Sequence, residues 1–348
     1  MDTPTFGRYR PRARELFPAR LGVLTPGPLN AITDVEGVLV GHTTLHEGSS
    51  VRTGVTAVLP HAGNLWQERV PAGLSVANGF GKLIGATQVQ ELGELETPII
   101  LTNTLAAARA ADALIGWTLG LPGNGHVTTV NPFVGETNDS LLNDIRRPSV
   151  QGVHVLDAIA GARGGSVAEG AVGAGTGTVA FGLKGGIGTS SRRLPAGEGG
   201  YTVGALVQSN YGGVLDFAGL RHSAPGSRTS NPDGSIMIVL ATDAPLSDRN
   251  LRRLAARGHA GLARTGSAFS NGSGDYSVAF SVSEQVRRVA GGAALSAGLP
   301  DAQVSGLFLA AIEATQEAIL NSLTKAVDTV GHNGRLVRAL DPNHLQNG

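Results

Sequence analysis

Apolar runs of strand length and longer stretches of helical periodicity interleave along the chain. GVLVGHTTL (37–45) and TGVTAVLP (53–60) read as paired strands joined by a polar loop. ETPIILTN (96–103) reads as a short buried strand, and DYSVAFSVS (275–283) as another. GAVGAGTGTVAFGLKGGIGTSSR (170–192) and YTVGALVQSNYGG (201–213) read as long strands interrupted by glycine. TLAAARAADALIGWTLG (104–120) predicts a helix with Thr104 placed to cap its start and glycine at its end. LSDRNLRRLAARGHAGLARTGS (246–267) predicts an amphipathic helix opening at Ser247 or Asp248. The longest helical stretch is 304–330, with Phe308, Ile312, Ile319, Leu323 and Val327 as its apolar stripe and Thr315 as an interruption. Residues 74–89 are broken by glycine and fit neither period. Residues 1–20 read as a polar arm carrying Pro and Arg, and the tail from 341 as polar and frayed.

No repeat of solenoid length and no low-complexity linker divides these elements. Strands and helices mix without a βαβ rhythm, which predicts a single layered α+β domain over 1–348 instead of a doubly wound sheet. Hydrophobic residues make up 41% of the 348, enough for a sizeable core. Charged residues are only 16% and the formal net charge is zero, so no nucleic-acid partner is expected and self-repulsion does not oppose a homo-oligomer. The absence of cysteine excludes disulfides, thiolate catalysis and Cys-based zinc sites. The start has basic residues but no apolar run of signal-peptide length, and no eighteen apolar residues run together. A cytoplasmic protein without a membrane partner is therefore expected. Glycine, at 51 residues, is the compositional outlier. It is aperiodic and mixed with aliphatic residues, which points to close backbone packing instead of a collagen-like or disordered chain.

Several familiar chemistries fail on detail. In GAGTGTVAFGLKGGIGTSS, Lys184 precedes Gly185-Gly186 and not a hydroxyl residue, so the phosphate-loop spacing is missing. A dinucleotide fingerprint is missing too. His42 and His46 stand four apart but outside any predicted helix, and the remaining histidines are scattered, so neither metal nor cofactor is expected. No serine sits in a G-x-S-x-G elbow. VGETNDSLLND (134–144) is more suggestive. Glu136 there suits a cationic amine, with Asn138 to orient it; alternatively, Thr137 or Asn138 caps a helix beginning at DSLLNDI. SNGSGDYSVAFS (270–281) sets Ser273 and Asp275 around a glycine before a strand, and a plain Gly/Ser turn is its alternative reading.

NPDGSIMIVLATDAPL (231–246) concentrates the question. Its first four residues fit a type I turn, and Ile236 to Ala241 read as a buried strand. Ser235 stands between them. It reads either as a small residue finishing a turn or as a nucleophile toward the carbonyl before it. In the second reading the hydroxyl attacks Gly234, the amide becomes an ester and water releases two chains. Glycine before the bond removes the steric obstacle to distortion. The product Ser carries a hydroxyl and a free α-amine on one residue, and an α-amine titrates near pH ~8.

NPDGSIMIVLATDAPL resembles the cleavage motif of the self-processing aminopeptidases, the family that includes L-aminopeptidase/D-amidase/D-esterase and the β-peptidyl aminopeptidases. The likeness extends through VGETNDSLLND, the Gly-rich 170–192 segment, VQSNYG and NGSGDYSVAFS, and so over about residues 25–330. It implies a four-layer α/β/β/α sandwich of the N-terminal-nucleophile-hydrolase kind, cut between Gly234 and Ser235 into chains 1–234 and 235–348 that stay together as one protomer, with a tetramer of such cut protomers. It puts the nucleophile on Ser235, its serine and acidic partners on Ser273 and Asp275, where some relatives carry Glu, and the oxyanion donor on Asn210. Glu136 and Asn138 would hold the substrate's amine, which implies release of N-terminal residues from small peptides, amides or esters. Two alternatives remain. Acyltransferases related to ornithine acetyltransferase share this chemistry but use Thr at the cut, and a non-catalytic Gly-rich binding protein would stay as one chain.

Overall fold

The computed structural model describes residues 9–222, 234–289, 292 and 298–346. Its main strands are β1 (Leu39–Glu47), β2 (Val51–Leu59), β3 (Glu68–Gly79), β4 (Leu83–Ile84), β5 (Ile99–Asn103), β6 (Phe133–Thr137), β7 (Gly186–Arg193), β8 (Thr202–Asn210), β9 (Ser235–Thr242) and β10 (Gly274–Ser281). Its main helices are α1 (Ala107–Leu119), α2 (Gly152–Ala160), α3 (Asp248–Ala263) and α4 (Ser305–Thr324). One sheet orders its strands β1–β2–β5–β6–β4. The second runs β7–β8–β9–β10–β3, with the short strands Arg288–Val289 and Glu94–Leu95 pairing on β3.

Alternation along β9 shows how the layers form. Ile236, Ile238 and Leu240 join Leu251, Leu254, Ala314 and Leu323 of α3 and α4 in one core. Met237, Val239 and Ala241 join Val58, Leu101 and Phe133 of the first sheet in another. A third core lies between the outer face of the first sheet, through Val55 and Ile100, and α1 and α2, through Ala107, Leu114 and Val155. The order is helices, sheet, sheet, helices: an α+β four-layer sandwich. A strand covered on both faces needs side chains that are apolar at every position, which is why 236–241 lacks the polar alternation of a surface strand. β9 pairs antiparallel with β8 and parallel with β10, the latter in register from Ser235↔Gly274 to Thr242↔Ser281.

Several local expectations are corrected. Residues 170–192 are not one strand. A 3-10 turn at Gly173–Gly175 and a tight hairpin at 179–184 precede β7. Positive φ at Gly173, Phe181 and Gly182 makes a continuous strand there impossible. Residues 74–89 divide into the end of β3, β4 and the start of a short helix at Ala86–Leu92. Thr104 does not cap α1; Ala106 holds the N-cap position. No helix follows Thr137, because 134–137 is strand and Asn138 Oδ1 accepts from the Ser140 amide at 3.0 Å in a turn.

The predicted stripe on α4 is only partly its buried face: Ile319 and Leu323 lie in the core, but the rest do not. Phe308 and Ile312 are half-buried, Val327 is exposed and lies beyond the helix, and Thr315 is buried. α4 is covered nearly all round because its carboxylates are paired. Buried Arg192 donates to Glu313 at 3.1 Å and to Glu317 at 2.7 Å, and Arg14 of the N-terminal arm reaches Glu317 at 2.9 Å. The arm is thereby clamped, with Ala13 in the core. The tail does not fray at its start: Asn343–Gln346 is helical and Leu345 joins the same core. The expected turn at 231–234 falls, except for Gly234, outside the described residues.

Candidate active site

The candidate residues converge at one end of the sandwich, where β9 begins and β6 and β8 end. Gly234 leads into β9 against the β8 terminus, and a Cβ on it would collide with the Asn210 carbonyl and Tyr211 Cα. Only glycine fits this approach. The Ser235 hydroxyl lies 2.6 Å from the Gly234 carbonyl oxygen. The backbone amide of Gly274 donates to that same oxygen at 3.0 Å and to Ser235 Oγ at 3.3 Å. The bond read from sequence as scissile therefore has a hydroxyl beside its carbonyl and a fixed N–H polarising it. Sequence reasoning missed Gly274, since every residue carries an amide and only the register of β9 on β10 aims this one. The missing side chain matters as well: a Cβ at Gly274 would stand 3.1 Å from Ser235 Oγ.

Ser273 and Asp275 flank Gly274. Ser273 Oγ donates to Asp275 Oδ1 at 2.7 Å, and Asp275 Oδ2 is buried without a hydrogen-bond partner. Burial pushes the Asp275 carboxyl above the usual carboxylate range, and the Ser273 hydroxyl partly offsets this. The pair does not meet the Ser235 hydroxyl. Ser235 shares Gly274's position in the ladder and so faces the sheet–sheet core with Met237 and Tyr276, whereas Asp275 pairs with Ile236 and faces the helix layer.

Asn210 is the register partner of Ser235 across β8 and β9. Its Oδ1 accepts from the Val179 amide at 2.9 Å, and its Nδ2 donates to the Asn138 carbonyl at 3.0 Å. Asn138 thus touches the site through its backbone, and its exposed side chain serves the local turn. Glu136 is buried, and accepts from the Lys82 amide at 2.9 Å and from the Thr104 hydroxyl. Thr104, placed in the sequence as a helix cap, instead holds this carboxylate. Tyr276 lies nearby, and its phenol is raised by burial and by the charges of Glu136 and Asp275. Gly135 ties the two sheets together here, since it leaves room for the Met237 side chain of β9. The site thus has a buried carboxylate for a cation, a hydroxyl beside a polarised carbonyl, and an amide whose second N–H remains to donate.

Comparison with known proteins places the whole chain among peptidases. The model of peptidase family S58 matches residues 30–337. The β-peptidyl aminopeptidase BapA of Sphingosinicella microcystinivorans is 41% identical over 97% of this chain and 91% of its own. The solved structure of a Burkholderia sp. β-aminopeptidase superposes with a TM-score of 0.88 at 41% identity, covering 97% of each chain. The L-aminopeptidase D-Ala-esterase/amidase of Ochrobactrum anthropi, described as a prototype serine aminopeptidase and a variant of the Ntn hydrolase fold, superposes at 0.86 with 34% identity, covering 97% of this chain and 98% of that one.

Proposed function

The chain belongs to peptidase family S58 and is a serine-type aminopeptidase/amidase on an Ntn-hydrolase fold, and from that premise we propose that it cuts itself before Ser235 and then uses Ser235 to release N-terminal residues. The single observation carrying this reading is the Gly234 carbonyl held between the Ser235 hydroxyl and the Gly274 amide. Ser235 Oγ adds to the Gly234 carbonyl carbon, and the C–N bond to Ser235 breaks as the nitrogen takes a proton. The resulting ester is hydrolysed by water, leaving a Gly234 carboxylate and a Ser235 with hydroxyl and α-amine both free. The Gly274 N–H stabilises the oxyanion formed on the way.

In the cut enzyme the same hydroxyl attacks the first carbonyl of a bound substrate. Its proton passes to the neighbouring α-amine, a base usable near neutral pH. Opposite facing of Ser235 and Asp275 supports a division of labour, with Ser273–Asp275 acting on the α-amine from the far side of the sheet. Asn210 supplies a side-chain donor to the oxyanion, and Glu136 pairs with the substrate ammonium, with Asn138 framing it. A buried carboxylate at the site restricts productive binding to chain ends, hence exopeptidase action.

The names of the relatives above support N-terminal β-amino-acid residues as substrates alongside α-residues. kcat/KM on β-alanyl against L-alanyl p-nitroanilide tests this, and absence of turnover on both counts against the reading. The same proposal has the enzyme as a cytoplasmic homo-oligomer, tetrameric by resemblance; light scattering after size exclusion reads the assembly. Among the described residues no helix is long and apolar enough to cross a membrane. Serine at the cut, where the acyltransferase alternative has threonine, favours hydrolysis.

A further inference from the structure

The Gly-rich segment holds a buried cation that the chemistry above does not use. Lys184 is fully buried, and its Nζ donates to three backbone carbonyls: Gly175 at 2.9 Å, Thr178 at 2.9 Å and Gly185 at 2.8 Å. An ammonium has three donors and no acceptor, so this cage of oxygens fits the protonated group and leaves nothing over. Burial pulls the ammonium down to about 7, and the Asp139 charge opposes that. Asp139 is itself buried, held by Asn143 at 3.0 Å, next in sequence to Asn138.

One of the three carbonyls is singular. The peptide between Thr178 and Val179 presents its oxygen to Lys184, and its N–H donates to Asn210 Oδ1 at 2.9 Å. The Gly185 amide also donates to the Thr178 oxygen, at 3.0 Å. Donation to a carbonyl oxygen polarises the amide and strengthens its N–H as a donor. An asparagine amide can sit either way round, and what decides it is the surrounding hydrogen bonds. Here a donor fixed on one side commands Oδ1, and the Asn138 carbonyl on the other commands Nδ2.

We propose that Lys184 is a positioning residue that acts through the Thr178–Val179 peptide to lock the Asn210 amide with Nδ2 toward the reacting carbonyl. The inference rests on the reading of Asn210 as oxyanion donor. It explains why a lysine in a failed phosphate-loop pattern lies among glycines: the loop wraps the ammonium with bare backbone. Gly175 and Gly185 cannot carry side chains here, since a Cβ on Gly175 would collide with the Ile187 amide and one on Gly185 would stand 2.5 Å from the Ser209 carbonyl.

The test is a double-mutant cycle of Lys184→Met and Asn210→Ala, reading kcat and KM on β-alanyl p-nitroanilide per mole of processed chain counted by intact mass. Asn210→Ala alone is expected to lower kcat by about 100-fold. Lys184→Met alone lowers it by about tenfold with KM within about twofold, and adds less than about twofold on top of Asn210→Ala. A lysine serving loop stability alone would lower kcat by the same factor in both backgrounds, and that result overturns the inference, as does full kcat in Lys184→Met. Unchanged kcat in Asn210→Ala instead sinks the assignment of Asn210 itself. Should the Met variant not fold, Lys184→Gln, which keeps two neutral donors, runs through the same cycle with the same criteria.

Discussion

Ser235 and Asp275 occupy neighbouring strands but project from opposite faces of the sheet: Ser235 stands in register with Gly274, and Asp275 with Ile236. The hydroxyl therefore looks into the seam between the sheets, and the carboxylate looks toward the helix layer. Asp275 thus lies across the plane of the sheet from the Ser235 hydroxyl.

This arrangement predicts a pH signature. Burial raises Asp275 above its ordinary value, so between that value and the raised one the native state keeps a proton that the unfolded chain has lost. Its contribution to stability falls as pH rises through that window, from about pH 4 upward. Asp275→Asn is expected to flatten this limb in urea unfolding. In activity the sign reverses, because the proposed mechanism uses the ionised carboxylate, so kcat is expected to fall as pH drops through the raised pKa. Asp275→Asn should lower kcat by about 100-fold and erase that acidic limb. An unchanged limb in the variant would assign it to another group.

Glu136 should govern binding of the substrate's charge. Glu136→Gln keeps the acceptor for the Lys82 amide but removes the negative charge facing the ammonium. Hydrogen bonds to charged groups contribute about 1.5–3 kcal/mol, so kcat/KM is expected to fall by about 10- to 100-fold. Self-cleavage involves no substrate ammonium and should proceed at its normal rate, as followed by mass spectrometry over time. Slowed cleavage in this variant would place Glu136 in the processing step instead.

Gly234 should tolerate no side chain. Gly234→Ala drives a Cβ into the Asn210 carbonyl, displacing the scissile carbonyl from the Gly274 amide. Cleavage should slow by at least about tenfold, with a stability cost of about 1–3 kcal/mol from the forced backbone shift. Denaturing electrophoresis of freshly expressed protein and urea unfolding measure the two effects.

What the sequence makes legible follows from what each signal encodes. The β9 strand is readable because burial on both faces demands apolar residues without interruption, and α3 because Ser247 does cap it, accepting from the Asn250 amide at 3.3 Å. α4 misleads because Glu313 and Glu317 look like surface residues until Arg192 and Arg14, far away in sequence, are seen to pair with them. The Gly-rich run misleads because Phe181 adopts a positive φ that its apolar neighbours do not announce. The side chains Glu136, Ser235, Ser273 and Asp275 are visible as candidate chemistry and Asn210 through the family resemblance, and all five gather at one end of the fold. The Gly274 amide, the Thr178–Val179 peptide and the facing of Asp275 are properties of register, and no residue type signals them.

The bond between Gly234 and Ser235 offers the most direct test of self-processing. Intact mass with N-terminal sequencing of the purified protein should give two chains, the smaller beginning Ser-Ile-Met-Ile, and Ser235→Ala should give one intact, inactive chain. A Ser235→Ala protein still cut between Gly234 and residue 235, or a wild-type protein that turns over substrate while remaining a single chain, would contradict it.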